Sequence, residues 1–137
     1  MIFDPRSIGT PVYKGLKDLR GNQSNEDKVV KQQKSQAVEL YTYLSTWGMM
    51  RLKAEEQALG NGMEGKKQVV AKFFQCLEEL STTNKLVGIQ GLETLKNLPV
   101  SDYLGLTGLG LAIAREFSFW STAVYHDVSG DDGAEGS

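Results

Sequence analysis

The stretch Ser101–His126, SDYLGLTGLGLAIAREFSFWSTAVYH, decides the fold. Leu106, Gly110, Ile113, Phe117, Trp120 and Val124 recur in it at spacings of three and four. That spacing lays one wide apolar stripe along a helix. Arg115, Ser118, Thr122 and the polar end of Tyr125 are assigned to the opposite side. Such a helix cannot stand in water alone, so the preceding chain must supply helices that cover it. The apolar run from Leu104 to Ala114 stops at Arg115 and Glu116. A membrane span needs about 20 apolar residues, so the stretch reads as a buried helix and no membrane partner is expected.

Three helical patterns precede it. The first opens near Ser24-Asn25-Glu26-Asp27, where Ser24 reads as the N-cap and the acids suit the helix dipole. Its stripe runs through Val30, Ala37, Tyr41, Leu44, Gly48 and Leu52, widened by Leu40 and Trp47, with a break expected near Trp47-Gly48. Gly60-Asn61-Gly62 stops it. The second helix runs from Glu64 to Leu80 over Val70, Phe73, Phe74, Leu77 and Leu80. The third runs from Asn84 to Asn97 over Leu86, Ile89, Leu92 and Leu95, weakened at Gly88 and Gly91 and ended by Pro99.

Outside these patterns, Pro5, Gly9, Pro11, Gly15 and Gly21 break periodicity in residues 1–24. That segment reads as an irregular arm, with a short helix possible over Tyr13–Arg20, and its Ile2, Phe3, Ile8, Val12, Tyr13, Leu16 and Leu19 call for packing on the domain or a neighbour. The end, VSGDDGAEGS, has almost nothing to bury. The expected architecture is therefore all-α: a single-domain bundle of four main helices over 25–127, the arm over 1–24, and a short disordered acidic tail over 128–137. The chain carries one Cys among its 137 residues and no basic start followed by an apolar core, which fits a reducing cytoplasm.

No catalytic constellation stands out. Gly60 to Lys66 satisfies G-x-x-x-x-G-K, but Lys67 occupies the position where a phosphate loop needs Ser or Thr. A helix, not a strand, precedes it, so it reads as a turn between helices. Gly105, Gly108 and Gly110 are in the wrong order for a dinucleotide fingerprint and read as a site of close helix packing. His126 is the sole His and reads as a helix-end residue. DVSGDDG fails the calcium-loop pattern at Asp132, and Cys76 has no base near it in sequence. No metal and no cofactor are expected.

Basic residues are the remaining candidates. Net charge is −2, yet residues 1–100 carry 14 Lys plus Arg against 11 acids, while residues 101–137 carry one against six. The first hundred residues therefore permit a nucleic-acid partner. Lys28, Lys31, Lys34, Arg51, Lys53, Lys66, Lys67 and Lys72 form the pool of side chains available to a phosphate backbone. A solvated helix face with i,i+4 pairs explains the same residues without nucleic acid. Arg115 and Phe119, off the main stripe of the last helix, are the candidate subunit contacts.

Three segments carry a family resemblance: KQQKSQAVELYTYL at 31–44, Val87-Gly-Ile-Gln-Gly91-Leu92-Glu-Thr-Leu95, and Tyr103-Leu-Gly-Leu-Thr107 leading to Arg115-Glu-Phe-Ser-Phe-Trp120. Together they resemble the small α-helical subunit of type III, Cmr-type, CRISPR effector complexes. The family's basic residue after the Trp has no counterpart, since Arg115 precedes the aromatic group. The resemblance implies a non-catalytic structural subunit that braces large and backbone subunits, contacts copies of itself, and lies beside the guide RNA and target RNA backbone. The other reading is a small helical interaction or dimerisation module without a nucleic-acid role.

Overall fold

A computed structural model describes residues 6–129. Six helices and no strand occur among them: α1 (Arg6–Arg20), α2 (Lys28–Trp47), α3 (Met49–Ala58), α4 (Glu64–Leu80), α5 (Gly91–Asn97) and α6 (Val100–Val124). The protein is all-helical. None of these helices is long and apolar enough to cross a membrane.

The arm is the main correction. Arg6–Arg20 is a 15-residue helix despite Pro11 inside it, and Ile8, Val12 and Leu16 are 0–3% exposed. Pro in a helix interior costs about 3 kcal/mol and each Gly about 1, whereas burying three such side chains contributes on the order of 5–9 kcal/mol. Burial meets the penalty, and the glycines are what permit it. A Cβ on Gly9 would sit 3.1 Å from Glu116 Oε1 and 3.2 Å from Trp120 Nε1 on α6, and one on Gly15 would sit 3.1 Å from the Lys72 stem on α4. Residues that read as breakers therefore seat α1 against two neighbours. Gly21, at φ 57°, closes the helix by donating its N–H to Lys17 O at 2.9 Å.

The first expected helix does break at Gly48, whose φ of 89° separates α2 from α3. Its cap is Asp27 rather than Ser24: the Asp27 carboxylate accepts from the Val29 N–H at 2.8 Å and the Val30 N–H at 3.3 Å. Ser24 Oγ instead accepts from the Glu26 N–H at 3.0 Å within the preceding turn. The third expected helix shrinks to Gly91–Asn97, because Gly88 takes φ 86° and Ile89 is 84% exposed. Gly91 marks a close approach, since a Cβ there would fall 2.3 Å from both Leu86 O and Lys53 Cε.

The bundle is thus built from α1, α2, α4 and α6, with α3 and α5 laid against each other as a cover. Leu44, Met49 and Phe73 meet at Gly110, and Phe73 packs edge-on against Phe74 and Phe117. Gly110 serves the close packing expected of it; Gly105 and Gly108 do not, for no atom of a neighbouring element lies within 4 Å of a Cβ built on either. The polar side expected for α6 is also only partly polar. Ser118 Oγ donates to Ala37 O at 3.2 Å, and Tyr125 is fully buried with its hydroxyl donating to Gln33 Oε1 at 2.9 Å. The start of the expected tail is packed as well, with Val128 3% exposed. The rest of that tail, residues 130–137, lies outside the described residues, as do residues 1–5.

Candidate nucleic-acid interface

Helices α2 and α4 run side by side from a common end. Gly65, in the first turn of α4, lies so close to α2 that a Cβ would fall 2.2 Å from Val29 O and 2.7 Å from Gln32 Cβ. Gln32 fastens the turn before α4: its Nε2 donates to Gly62 O at 2.6 Å and its Oε1 accepts from the Gly65 N–H at 2.9 Å. The G-x-x-x-x-G-K segment is therefore a packed inter-helix turn, with its glycines spent on backbone approach and on the φ of 89° at Gly62. The Val29 and Val30 N–H groups of α2 go to Asp27, and the Gly65 N–H of α4 goes to Gln32. A phosphate at this end would be held by side chains.

Gln33, next along, is fully buried and joins four helices. Its Nε2 donates to Leu19 O at 3.2 Å, beside the end of α1, and to Gln68 Oε1 of α4 at 2.8 Å, while its Oε1 accepts from Tyr125. Sequence reasoning missed both glutamines. The signal was present, since Gln33 stands three residues after Val30 and four before Ala37, in phase with the buried stripe.

This geometry gathers part of the basic pool. Lys28 and Lys67 are exposed and Lys31 and Lys66 half-buried, all in the first turns of the two adjacent helices. Glu64 records their proximity. Its pKa is lowered first by its own backbone N–H and that of Gly62, and further by the charges of Lys28 and Lys67. Lys31 Nζ lies 3.5 Å from Glu26, an exposed pair of small energetic weight. Two helix N-termini at one end add partial positive charge there.

The remaining cations go elsewhere. Lys34 Nζ donates to Val128 O, which ties the chain after α6 to α2. Lys72 lays its stem across Gly15. Arg51, on α3 beyond the Gly48 break, stacks on the exposed Trp47 ring at 4.4 Å. Lys53 must be removed from the nucleic-acid pool. It is 0% exposed, pairs with Glu56 at 2.9 Å, and points its ammonium at the Phe74 ring from 4.6 Å. A lysine so enclosed reaches no phosphate; it satisfies a buried carboxylate beneath α5.

Arg115 and Phe119 separate in the same way. Arg115 is exposed but stacks on Tyr41 at 4.8 Å and donates from Nη2 to the Tyr41 hydroxyl at 2.9 Å. Phe119 is 60% exposed and touches Trp120 edge-on at 5.0 Å. An ion pair not anticipated from sequence closes the bundle end: Arg20 donates to both carboxylate oxygens of Asp127 and, at 2.9 Å, to Val124 O. The guanidinium pulls the Asp127 pKa down to about 2. His126 Nδ1 lies 3.1 Å from Ala123 O at the end of α6. Cys76 is buried, and that burial pushes its thiol pKa up to about 11. No group of three or more His, Cys, Asp or Glu placed to hold a metal ion occurs among the described residues.

Comparisons with protein-family models, with curated proteins and with solved structures find no match for this chain.

Proposed function

We propose that the protein is a non-catalytic structural subunit of an RNA-guided ribonucleoprotein of the type III CRISPR kind, contacting the backbone of guide or target RNA and bracing neighbouring subunits. The observation that carries the RNA part is the common end of α2 and α4, where Lys28, Lys31 and Lys67 stand over two adjacent helix starts. The three segments that resemble the Cmr-type small subunit support the identity of the complex. Phe119, exposed on the outer side of α6, supports a role in assembly. Lys66 belongs to the same end and is a further backbone contact. Lys34, Arg51 and Lys72 are secondary, since each already has a use within the chain.

Co-expression with the large and backbone subunits of a type III effector from the same source tests the identity. The expected result is co-purification of this chain with them in an RNA-containing particle. Recovery of the assembled particle without this chain would overturn it. The exposed stack of Trp47 and Arg51 favours the second reading, an interaction module without RNA, because Trp and Arg dominate protein contact sites. Under that reading, Trp47→Ala abolishes partner binding while charge reversal at Lys28 and Lys67 leaves it intact.

A further inference from the structure

The cover formed by α5 lies over an ion pair. Lys53 Nζ meets Glu56 Oε1 at 2.9 Å, with the two side chains 0% and 12% exposed. Gly91 brings α5 so near the Lys53 stem that no side chain fits between them. Two charges held out of water carry a desolvation cost that their attraction seldom exceeds. Lifting the cover returns both to water, so the surface beneath it resists opening less than an apolar surface of the same size. The cover is also lightly attached. Helix α5 rests on α3. Of the large apolar side chains in residues 81–99, only Leu86 and Leu95 are buried, while Val87 and Ile89 are 46% and 84% exposed. Glu78 Oε1 clasps the segment by accepting from the Leu86 N–H at 3.1 Å and the Val87 N–H at 3.2 Å, and Gln57 Nε2 donates to Ile89 O at 3.3 Å. Within the segment, the Gly91 N–H donates to Gly88 O at 3.1 Å and Thr94 Oγ1 to Lys85 O at 2.8 Å, which braces it as one piece. Lys85 and Gly88 stand at φ 63° and 86°, where a Lys is strained and a Gly is not. At the two ends, Ser81, Thr82, Thr83 and Leu98 line a cleft of about 520 Å³ against α6, which leaves both stalks room to turn.

We propose that residues 81–99 are a lid that lifts from α3 as one unit while the bundle stays folded, hiding the Lys53–Glu56 pair when shut and presenting it when open. Opening breaks the Glu78 and Gln57 bonds and withdraws Leu86 and Leu95, and it leaves the bonds inside the segment intact. Segments with few buried apolar contacts and local strain open at the low end of a protein's stability range. Lys53 Nζ stands 4.6 Å from the centre of the Phe74 ring, so the open form shows water a cation, an anion and an aromatic ring in one cleft. The shut surface displays none of them. The lid is independent of the RNA reading, in which Lys53 has no part.

Two probes on the full chain separate lid opening from unfolding. An amine-acylating reagent reads Lys53 by peptide mapping, and a thiol reagent reads Cys76, buried on the α1 side of α4. Each rate is taken relative to that of the unfolded chain. On this scale Lys53 is modified about 100-fold faster than Cys76 or more, because the lid opens far more often than the bundle unfolds. Amide exchange in dilute denaturant shows Leu86, Val87, Gly91 and Thr94 sharing one protection, below that of Val70 and Ile113. Gln33→Ala, which loosens the bundle, speeds Cys76 and leaves Lys53 unchanged, since shut and open forms carry the same bundle. Gly88→Ala adds a Cβ that meets no neighbouring atom but is strained at φ 86°, and it speeds both Lys53 modification and lid exchange about tenfold. Modification of Lys53 at the Cys76 rate in the parent and in Gln33→Ala would overturn the proposal. So would a Gly88→Ala variant in which Lys53 reacts no faster, or lid amides that exchange only with those of α4 and α6. Either result leaves the proposed function standing.

Discussion

At the scale of single residues, the buried polar groups separate structure from function. Gln33 is the strongest case, because losing its side chain strands the Tyr125 hydroxyl and Leu19 O together, while the exposed Gln68 amide turns to water. A buried group left without its partner costs about 1–3 kcal/mol. Gln33→Ala should therefore lower stability by about 2 kcal/mol or more in urea unfolding, with m unchanged. Lys53 and Lys67 form a contrasting pair. Removing one partner of a buried ion pair costs about 3–5 kcal/mol, so Lys53→Ala should fall in Tm while the folded fraction binds RNA as the parent does. Lys67→Ala should hold its Tm and lose affinity. Neither lysine's sequence context distinguishes them; only the approach of Gly91 and Phe74 to Lys53 does. Acid should act through Asp127. Its pKa is lowered from the usual 3.8 to about 2 by Arg20, so the pair's contribution is present above pH 4 and fades as pH falls through about 2. Asp127→Asn should flatten that part of the stability–pH curve.

At the scale of elements, small residues sort by what surrounds them. Gly65→Ala drives a Cβ into Val29 O and the backbone of α2, with only rigid atoms to yield. Overpacking of that kind costs about 1–3 kcal/mol or more, and α4 must shift away from α2. Gly108→Ala meets open space on an exposed helix and should stabilise by about 1 kcal/mol through helix propensity alone. Thermal melts of the two variants should move in opposite directions. The same contrast explains what was legible. Periodicity identified α2, α4 and α6 because their apolar residues recur without interruption, and it located the break at Gly48. It failed for α1, where Gly9, Pro11 and Gly15 read as breakers when taken one at a time. Their use becomes visible only once Trp120 and Lys72 are known to press on them. It failed again over residues 84–90, where a stripe through Leu86 and Ile89 read as helix, although positive φ at Lys85 and Gly88 keeps the chain out of a helix until Gly91.

At the scale of the molecule, the site was half legible. The basic pool read from sequence contains the four lysines at the common end of α2 and α4. Spacing along one helix could not reveal that two helices start side by side, nor that Lys53 faces inward. That juxtaposition depends on Gly65 and Gln32, residues with no charge of their own. The acidic balance of the last 37 residues lies apart from this end in sequence, yet Asp127 and Val128 return to it through Arg20 and Lys34. Cys76 should stay inert in the assembled fold. Its burial and raised pKa predict that a thiol reagent modifies it only on unfolding, with a rate that follows denaturant and not reagent concentration.

The central claim is that the lysines at the α2–α4 end hold an RNA backbone. Titration of a single-stranded RNA at several salt concentrations, with the parent chain and with Lys28→Ala/Lys31→Ala/Lys67→Ala, tests it most directly. Each lost phosphate contact reduces the slope of log K against log salt by about 0.7 for a single strand, so the triple variant should lose a slope of about 2 together with affinity. A parent affinity that does not change with salt, or a triple variant that binds as tightly and as salt-dependently as the parent, would contradict it.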